Sequence, residues 1–458
     1  MSEPKRVAFA TLGCKVNQYD SEAMMRLFRQ AGYQVVDFQD AADIYIINTC
    51  AVTGRGAAKS RQLIRSAVRR APLSVVAVAG CYTQTDPDAV ASIPGVSLII
   101  GNQDRDRVVQ LCEEAASAPA PIRAVNNIWQ AREFEDLPVD TFLGQTRAVV
   151  KIQEGCNVFC SYCIIPYARG KPRSRKVASV VEQVERLAAQ GFREVVLTGI
   201  HLGSYGKDQP GGPDLAQLVE ELTRIDGLDR IRLSSLEPRH VTPHLMMLLE
   251  ENPKVCRHLH LSLQSGSESV LRRMRRAYTA EEYRQVVAEL RRRIPDLGLT
   301  TDVIVGFPGE TEEEHQESMA FVREMGFHRL HVFPFSPRKG TPAAAMPDQV
   351  PKKVKERRSH EMMALGRELA LSFARRHLGQ VLYVLAEEET DAEPGWLEGY
   401  TDNYVRVRFP GDEALKNSLV PVRITAVEEE EACLGEIAGA PLPPKGRPGA
   451  AQWIGPLL

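Results

Sequence analysis

The first part of the chain alternates short apolar runs with stretches whose apolar positions have helical spacing. The runs RVAFATLG, ADIYIINT and LSVVAVAG are rich in strand-forming residues, and each is followed by such an amphipathic stretch. This alternation is typical of parallel strands joined by helices. It predicts an α/β domain over residues 1–140, in which the Ala- and Pro-rich segment 115–127 indicates a linker.

The same alternation restarts at residue 147 and continues for longer. It contains six strand candidates, RAVVKIQEG, EVVLTGI, RIRLSSLEP, HLHLSLQSG, LTTDVIVGFPG and RLHVFPFSP. Six consecutive βα units predict a partial (βα)6 barrel over residues 141–374. The active site of such a barrel lies at the carboxyl ends of its strands, so we expect functional residues directly after each strand.

Beyond residue 375 the pattern changes to short strands and turns, as in QVLYVLAEEE and SLVPVRITAV. It predicts a small all-β barrel over residues 375–440 and a Pro- and Gly-rich flexible tail over residues 441–458. The predicted fold class is α/β, with an N-terminal parallel-sheet domain, a central partial barrel and a C-terminal all-β barrel.

Composition restricts the class of protein. Apolar residues make up 43% and charged residues 25% of the 458 positions, as in soluble globular proteins. The sequence contains no signal-peptide core and no apolar run of about 20 residues, so we expect a cytoplasmic protein without a membrane segment. Thiols stay reduced in the cytoplasm, and we therefore interpret the nine cysteines as ligands or core residues rather than disulfides.

Local charge is more informative than the net charge of −2. The segments 55–70, 271–278 and 351–358 are strongly basic, and clustered basic residues can bind a phosphate backbone. Each of these runs is equally consistent with the solvated face of a helix. The C-terminal region is acidic, because residues 380–458 contain fourteen acidic and six basic residues.

Three cysteines in the motif C-x3-C-x2-C follow the first predicted barrel strand, at Cys156, Cys160 and Cys163. A structural zinc site takes four protein ligands, and no fourth Cys or His lies nearby at zinc-ribbon spacing. A [4Fe-4S] cluster held by three thiolates leaves one iron open to a small molecule. The spacing therefore favours an iron-sulfur cluster, and three buried structural cysteines are the alternative.

Three further cysteines, Cys14, Cys50 and Cys81, each follow one of the first three predicted strands. The carboxyl ends of neighbouring parallel strands line one edge of a sheet, so these thiols can converge on a second site. The alternative is that each is a small buried hydrophobe. We interpret the remaining cysteines and the histidines near strands as core, surface or capping residues: Cys112, Cys256, Cys433, His201, His258 and His260.

Together these motifs resemble the radical S-adenosylmethionine (SAM) methylthiotransferases. The C-x3-C-x2-C motif, with Tyr162 just before its last cysteine, is similar to that of the radical SAM superfamily. The segments that resemble the methylthiotransferase family within it are TLGCKVNQYDSE, NTCAVT, GCYTQ, GCNVFCSYCIIPYARGKPRSR, TGIHLGSYG and VIVGFPGET. The resemblance implies a SAM-cleaving [4Fe-4S] cluster on Cys156, Cys160 and Cys163. It also implies an auxiliary [4Fe-4S] cluster on Cys14, Cys50 and Cys81. The segment GYTDNYVRV is similar to the RNA-binding TRAM barrel of these proteins.

The rest of the SAM pocket is expected at the strand ends, beside Tyr162. The candidates there are Gly199, Glu237, Gln264 and Asp302. A glycine lets a ligand approach the backbone closely, and carboxylates or amides can hold ribose hydroxyls or the methionyl amine. Each polar residue is equally suited to cap a neighbouring helix.

The resemblance further implies a reaction. One SAM methylates a sulfur on the auxiliary cluster, a second SAM is cleaved to a radical that abstracts hydrogen, and the methylthio group is delivered to the resulting carbon radical. The motifs are most similar to the branch that modifies C2 of N6-threonylcarbamoyladenosine at tRNA position 37. The other branches act on N6-isopentenyladenosine-37 of tRNA or on a ribosomal-protein aspartate. A non-catalytic iron-sulfur protein that senses redox state and binds RNA is an alternative of a different class.

The implied partners are the anticodon stem-loop of tRNA, contacted by the basic run 55–70, and a low-potential electron donor such as flavodoxin or ferredoxin. A monomer suits an enzyme of this size. The acidic C-terminal barrel departs from the positive face expected of an RNA-binding barrel. Either the basic residues of the barrel gather on one side, or the barrel contributes little to tRNA binding. These basic residues are Arg406, Arg408, Lys416 and Arg423.

Overall fold

The structure is a computed structural model that describes residues 4–139, 142, 145–389, 394–428 and 432–442. The predicted boundary at residue 140 and residues 443–458 of the predicted flexible tail lie outside the described residues. The described strands are β1 (Arg6–Thr11), β2 (Gln34–Val36), β3 (Ile44–Thr49), β4 (Val75–Gly80), β5 (Leu98–Ile100), β6 (Ile122–Ala124), β7 (Arg147–Glu154), β8 (Arg173–Ser174), β9 (Glu194–Gly199), β10 (Arg230–Leu233), β11 (His258–His260), β12 (Gly298–Val305), β13 (Arg329–Pro334), β14 (Val381–Glu389), β15 (Trp396–Tyr400), β16 (Arg406–Pro410), β17 (Leu419–Val427) and β18 (Cys433–Ile437). The described α-helices are α1 (Lys15–Gln30), α2 (Gly54–Arg70), α3 (Cys81–Thr85), α4 (Pro87–Ala91), α5 (Val108–Ser117), α6 (Ile165–Arg169), α7 (Val177–Ala189), α8 (Leu215–Thr223), α9 (Pro243–Glu251), α10 (Glu268–Arg273), α11 (Ala280–Arg293), α12 (Glu312–Met325) and α13 (Lys352–Arg375).

The N-terminal domain is a six-stranded parallel sheet in the order β2-β1-β3-β4-β5-β6. Its strands β1, β3 and β4 confirm the three strands predicted from the sequence. Every residue of β3 and β4 is buried, because helices cover both faces of the sheet. The continuous apolar runs of these strands follow from this two-sided burial.

The predicted linker at residues 115–127 is wrong. Helix α5 continues to Ser117, and β6 pairs in parallel with β5 at the edge of the sheet. The sequence also missed β2 and β5. Each of these strands has only three residues, which is too short for a recognisable period, and prolines precede β6.

The central domain contains the six predicted parallel strands, β7 and β9 to β13. They form a sheet in the order β10-β9-β7-β8 and a second sheet in the order β11-β12-β13. Parallel bridges between Ile231 and Val255 and between Leu236 and Leu261 connect the two sheets into one curved, open barrel. The short strand β8 is antiparallel to β7 and was not predicted. The predicted partial barrel is therefore confirmed.

The C-terminal strands form a closed five-stranded barrel in the order β14-β15-β16-β18-β17, which confirms the predicted all-β barrel. It packs against the amino ends of the central strands. Arg232 of β10 donates to the Thr401 and Asp402 carbonyls at 3.0 and 2.9 Å, and Arg147 of β7 pairs with Glu387 at 2.7 Å. The carboxyl ends of the central strands are left for the N-terminal domain and the cysteine loop. None of the described helices has the length and apolar character needed to cross a membrane.

Candidate active site

We call Cys14, Cys50 and Cys81 the N-terminal cysteine set, and the structure brings them together. They follow β1, β3 and β4, which are adjacent in the sheet. Gly13 has a φ of +107°, and a Cβ there would lie 3.1 Å from the Cys50 Sγ, so the turn before Cys14 needs glycine. Burial raises the pKa of Cys50 to about 11, and the neighbouring Cys81 and Cys14 thiols add to the shift. The three thiols therefore share one site.

Cys14 is the member of this set that faces open space. Its side chain is accessible to solvent, yet burial raises the pKa of its thiol, with Cys81 adding to the shift and Arg169 opposing it. This geometry leaves room for a group on the three sulfurs.

We call Cys156, Cys160 and Cys163 the loop cysteine set. The loop leaves β7 through Gly155, where a Cβ would lie 1.9 Å from the Lys171 carbonyl oxygen, and the Cys156 amide donates to the Gly170 carbonyl at 2.9 Å. The loop thus closes on itself directly after the first barrel strand. Burial raises the pKa of Cys163 to about 12, with the Cys160 thiol adding to the shift.

The spacing of the sulfurs distinguishes a zinc ion from a larger group. Zinc–sulfur bonds of about 2.3 Å place the sulfurs of one tetrahedral site about 3.8 Å apart. Among the described residues, two groups have three ligating atoms within 4.8 Å of one another, and each consists of two histidines and a carboxylate. Neither group contains a cysteine, so the three sulfurs of each cysteine set are spread more widely than this. Both cysteine sets are therefore too open for a single zinc ion. Three thiolates on a wider frame fit a [4Fe-4S] cluster with an open iron.

Arg276 lies against the loop cysteine set. Its Nη1 donates to the Cys160 Sγ at 3.0 Å, and its Nη2 lies 2.9 Å from Glu237 Oε1. Burial alone raises the pKa of Glu237, but His201 and the charges of Arg276 and Arg239 outweigh it and hold the pKa at about 2. The anionic Glu237 thus holds the Arg276 guanidinium against the Cys160 sulfur.

Arg169 occupies the corresponding position at the N-terminal cysteine set. It belongs to α6, which follows the loop cysteine set, but its Nε donates to the Cys81 Sγ at 3.1 Å. Its Nη1 contacts both Asp20 at 2.8 Å and Glu154 at 2.5 Å. Its Nη2 donates to the Asn17 Oδ1 at 2.5 Å. One buried side chain therefore connects the loop segment of the central domain to the thiols of the N-terminal domain.

A buried charge network holds Arg169 in place. Lys151 of β7 and Arg105 also bind the carboxylates of Asp20 and Glu154, and at most 3% of each of these five side chains is exposed. Burial alone would raise the pKa of Asp20, but Arg105, Lys151 and Arg169 hold it below its usual value. The network spans both domains, since Asp20 comes from α1 and Glu154 from β7.

Sequence reasoning missed Arg276 and Arg169. Arg276 lies in the basic run 271–278, which we considered as a phosphate contact, and the structure instead buries it between a thiol and a carboxylate. In the basic run 351–358, Arg357 and Arg358 are neutralised by glutamates of the 310–312 segment. Arg169 lies in the quoted motif GCNVFCSYCIIPYARGKPRSR, whose periodic pattern gives no indication that it reaches another domain.

The other predicted SAM contacts have different environments. Gly199 packs against the neighbouring strand, since a Cβ there would lie 2.9 Å from the Gln153 Cβ, so its missing side chain does not by itself indicate a ligand. Gln264 has a left-handed backbone, with a φ of +68°, a strained conformation that is common at functional sites. Asp302 lies within β12 beside His260 and His331, at 3.4 and 3.1 Å.

Tyr162 belongs to the same surroundings as the loop cysteine set. Its hydroxyl lies 3.4 Å from Arg276 Nη1, and burial raises its pKa. Two of the histidines interpreted as packing residues, His258 and His260, both contact the Thr300 hydroxyl, at 3.2 and 2.9 Å. The third, His201, packs edge-on against His240 with ring centroids 4.8 Å apart.

Comparison with known proteins agrees with this geometry. Residues 150–322 match the Radical SAM superfamily, and residues 6–101 match the Uncharacterized protein family UPF0004. The chain is 48% identical to the threonylcarbamoyladenosine tRNA methylthiotransferase MtaB of Bacillus subtilis, over 91% of this chain and 93% of that protein. The chain belongs to the radical SAM methylthiotransferase family.

Other relatives come from two named groups. The MtaB protein of Aquifex aeolicus is 39% identical, over 89% of this chain and 97% of that protein. The tRNA-2-methylthio-N(6)-dimethylallyladenosine synthase of Moorella thermoacetica is 38% identical, over 93% of this chain and 96% of that protein. This radical SAM methylthiotransferase is therefore a transferase enzyme, and the alternative of a non-catalytic redox sensor is set aside.

A solved structure shares the fold of the methylthiotransferase chain. The radical S-adenosylmethionine methyltransferase TsrM of Kitasatospora setae superposes with a TM-score of 0.58 at 16% identity, over 88% of this chain and 82% of that chain. At this identity the likeness concerns the fold alone. SAM and a [4Fe-4S] cluster are the cofactors that membership of the superfamily implies.

Proposed function

We propose that this enzyme adds a methylthio group to C2 of N6-threonylcarbamoyladenosine at position 37 of tRNA, using two [4Fe-4S] clusters and SAM as both methyl donor and radical source. The observation that carries the proposal is the pair of open three-cysteine sites linked by Arg169. One site follows the first strand of the barrel, and the other lies at the sheet edge of the adjoining domain. A reaction that needs one group to cleave SAM and another to carry sulfur requires two such sites.

The roles of the chain's own residues follow from their contacts. The loop cysteine set would hold a [4Fe-4S] cluster that would supply the electron for SAM cleavage, and the N-terminal cysteine set would hold a cluster that would supply the sulfur. Arg276 and Arg169 each donate a hydrogen bond to one cysteine sulfur, Arg276 to Cys160 and Arg169 to Cys81, and would orient these ligands. Glu237, Gln264, Asp302 and Tyr162 would contact SAM at the mouth of the barrel. Positioning determines selectivity, because a free radical attacks any nearby C–H bond.

Two surfaces near these sites support an RNA substrate. Helix α2 begins shortly after Cys50 and exposes Arg55, Lys59, Arg65 and Arg69, none of which has an ion-pair partner within 4.0 Å in the part of the chain that the structure describes. Unpaired basic residues on one helix suit a phosphate backbone.

The second surface is aromatic. Phe159 of the cysteine loop stacks on Trp129 with ring centroids 5.5 Å apart and contacts Tyr167 edge-on at 5.8 Å. Phe159 and Tyr167 are 37% and 40% exposed. Exposed rings are platforms on which the unstacked bases of an RNA loop bind, so they support delivery of an anticodon loop to the cluster beside them.

The C-terminal barrel contributes little to RNA binding in this proposal. Of its four candidate basic residues, Arg406 pairs with Glu398, Arg408 with Glu428 and Lys416 with Glu413. These ion pairs cancel the positive face that the TRAM resemblance requires. We further propose a cytoplasmic monomer that receives electrons from a low-potential donor such as flavodoxin or ferredoxin.

The test uses the reconstituted enzyme under anaerobic reducing conditions with anticodon stem-loop RNAs. One RNA carries N6-threonylcarbamoyladenosine and the other N6-isopentenyladenosine at position 37. We expect 5′-deoxyadenosine with both clusters loaded, and a methylthio product from the first RNA only, by mass spectrometry of nucleosides. A methylthio product from the isopentenyl RNA alone would reassign the substrate, and no product from either RNA despite SAM cleavage would favour the ribosomal-protein aspartate.

A further inference from the structure

A second arginine lies beside the N-terminal cysteine set without a carboxylate partner. Arg338 belongs to the loop after β13, and this loop contacts the start of α2, where the Gly54 amide donates to the Ser336 hydroxyl at 3.0 Å. A Cβ on Gly54 would lie 4.0 Å from Arg338 Nη1. The guanidinium is therefore close to the turn that follows Cys50.

The Arg338 side chain is partly buried, and it has no carboxylate partner in the described part of the chain. Its Nε is buried without a hydrogen-bond partner, and no carboxylate of the described residues lies within 4.0 Å of it. Burial lowers the pKa of Arg338. The neighbouring Cys50 and Tyr82 raise this pKa, and Asp86, a carboxylate, raises it least of the three. A positive charge that is partly removed from water, with one buried donor unsatisfied and no counter-ion among the described residues, is suited to an anionic ligand.

Arg61 of α2 adds a second positive charge at the same place. Its Nη1 donates to the Tyr82 hydroxyl at 3.2 Å, and its guanidinium carbon lies 5.8 Å from the Tyr82 ring centroid. Arg61 lies about two turns of α2 after Gly54 and so on the same helix face, and Arg338 Nη1 lies beside Gly54 on that face. The Arg61 charge accordingly contributes to lowering the pKa of Arg338. Two neighbouring guanidinium groups exclude a cation and favour an oxyanion, which they bind through parallel N–H donors.

We infer that Arg338 and Arg61 form an oxyanion site that binds an anionic group of the nucleotide being modified. The inference rests on the proposed function, which brings a tRNA nucleotide to the N-terminal cysteine set. Two groups of that nucleotide have the required chemistry, the threonyl carboxylate and a backbone phosphate. Binding either one beside Cys50 would place the adenine where sulfur is delivered.

The test measures binding separately from turnover. Arg338→Gln removes the charge, Arg338→Lys keeps it, and Arg61→Gln provides a second variant at the same site. Arg357→Gln is the matched control, because Arg357 lies on α13 and pairs with Glu312 and Glu361. Binding of the threonylcarbamoyl stem-loop is measured by fluorescence anisotropy, and KM and kcat by methylthio product formation.

We expect Arg338→Gln to weaken RNA binding and raise KM by about 10- to 100-fold with little change in kcat, because charge-assisted hydrogen bonds to the RNA are lost. Arg338→Lys should recover part of the affinity, Arg61→Gln should act in the same direction, and Arg357→Gln should match the wild type. A stem-loop whose threonyl carboxylate is methylated identifies the ligand. If the variant and the wild type bind the ester equally, the site binds the carboxylate, and if the variant remains weaker, it binds phosphate.

Unchanged RNA affinity and KM in Arg338→Gln and Arg61→Gln would overturn the inference. If the iron content or the electron paramagnetic resonance spectrum then differs from the wild type, Arg338 acts on the cluster instead. A failure of the proposed function is distinguishable, because in that case the wild-type enzyme itself gives no methylthio product on the threonylcarbamoyl stem-loop.

Discussion

Replacing Asp20 by Asn tests the buried charge network between the two domains. The Asp20 carboxylate binds Arg105, Lys151 and Arg169, and only 3% of its side chain is exposed. Asn has nearly the same shape, so the change removes charge without opening a cavity. It leaves three buried cations around one fully buried carboxylate, Glu154. Removing one partner of a buried ion pair costs about 3–5 kcal/mol, and we expect this loss in the free energy of unfolding at pH 7.

The loss depends on pH in a defined direction. The three cations hold the pKa of Asp20 below its usual value despite burial. A carboxyl group whose folded pKa is depressed stabilises the fold above its unfolded pKa of about 3.9, and this contribution is lost as the pH falls through the folded pKa. The difference between wild type and Asp20→Asn should therefore be largest near neutral pH and shrink below about pH 4.

Urea unfolding of the apoprotein, followed by circular dichroism at pH 7 and at about pH 3, measures this difference. The matched control is Glu368→Gln, whose partner Arg323 is exposed, and it should change stability little. A loss of less than about 1 kcal/mol in Asp20→Asn at pH 7 would refute the reasoning, because it would show that the remaining carboxylates neutralise the network without Asp20.

Three further predictions concern the clusters, the C-terminal barrel and an isolated carboxylate. Cys81→Ala should lower the iron content and abolish the methylthio product, while 5′-deoxyadenosine still forms. Cys160→Ala should abolish 5′-deoxyadenosine formation. Chromatographic assay of both products separates the roles of the two cysteine sets. Changing both Arg406 and Arg408 to Gln should alter the affinity for the stem-loop less than twofold, measured by fluorescence anisotropy. A tenfold loss of affinity would show that the barrel binds RNA. Burial raises the pKa of Glu22 to about 7. Its ionisation therefore destabilises the fold as the pH rises from the unfolded pKa of about 4.3 through the folded pKa. Urea unfolding should show that Glu22→Gln stabilises the protein at about pH 8 more than at about pH 5.

The convergence of the N-terminal cysteine set was predictable because neighbouring parallel strands end at one edge. The loop cysteine set was predictable from its spacing and its position after a strand. The arginines were not, because a basic residue has the same local pattern whether it contacts a thiol or solvent. Lys151 and Glu154 illustrate this limit, since both lie in β7, a strand buried at nearly every position, and pair with each other at 3.0 Å. Their other partners lie outside the strand, at Asp20, Arg105 and Arg169.

The contact of Arg169 with Cys81 has a consequence for exchanging parts between relatives. A chimaera joined near residue 140 would combine Asp20 from one parent with Glu154 and Arg169 from another, and a mismatch in any of them would leave a charge buried without its counterpart. The N-terminal and central domains should therefore be transplanted as a single block. The C-terminal barrel begins after α13 and makes no contribution to this network among the described residues, so the end of α13 is the more favourable junction for recombination.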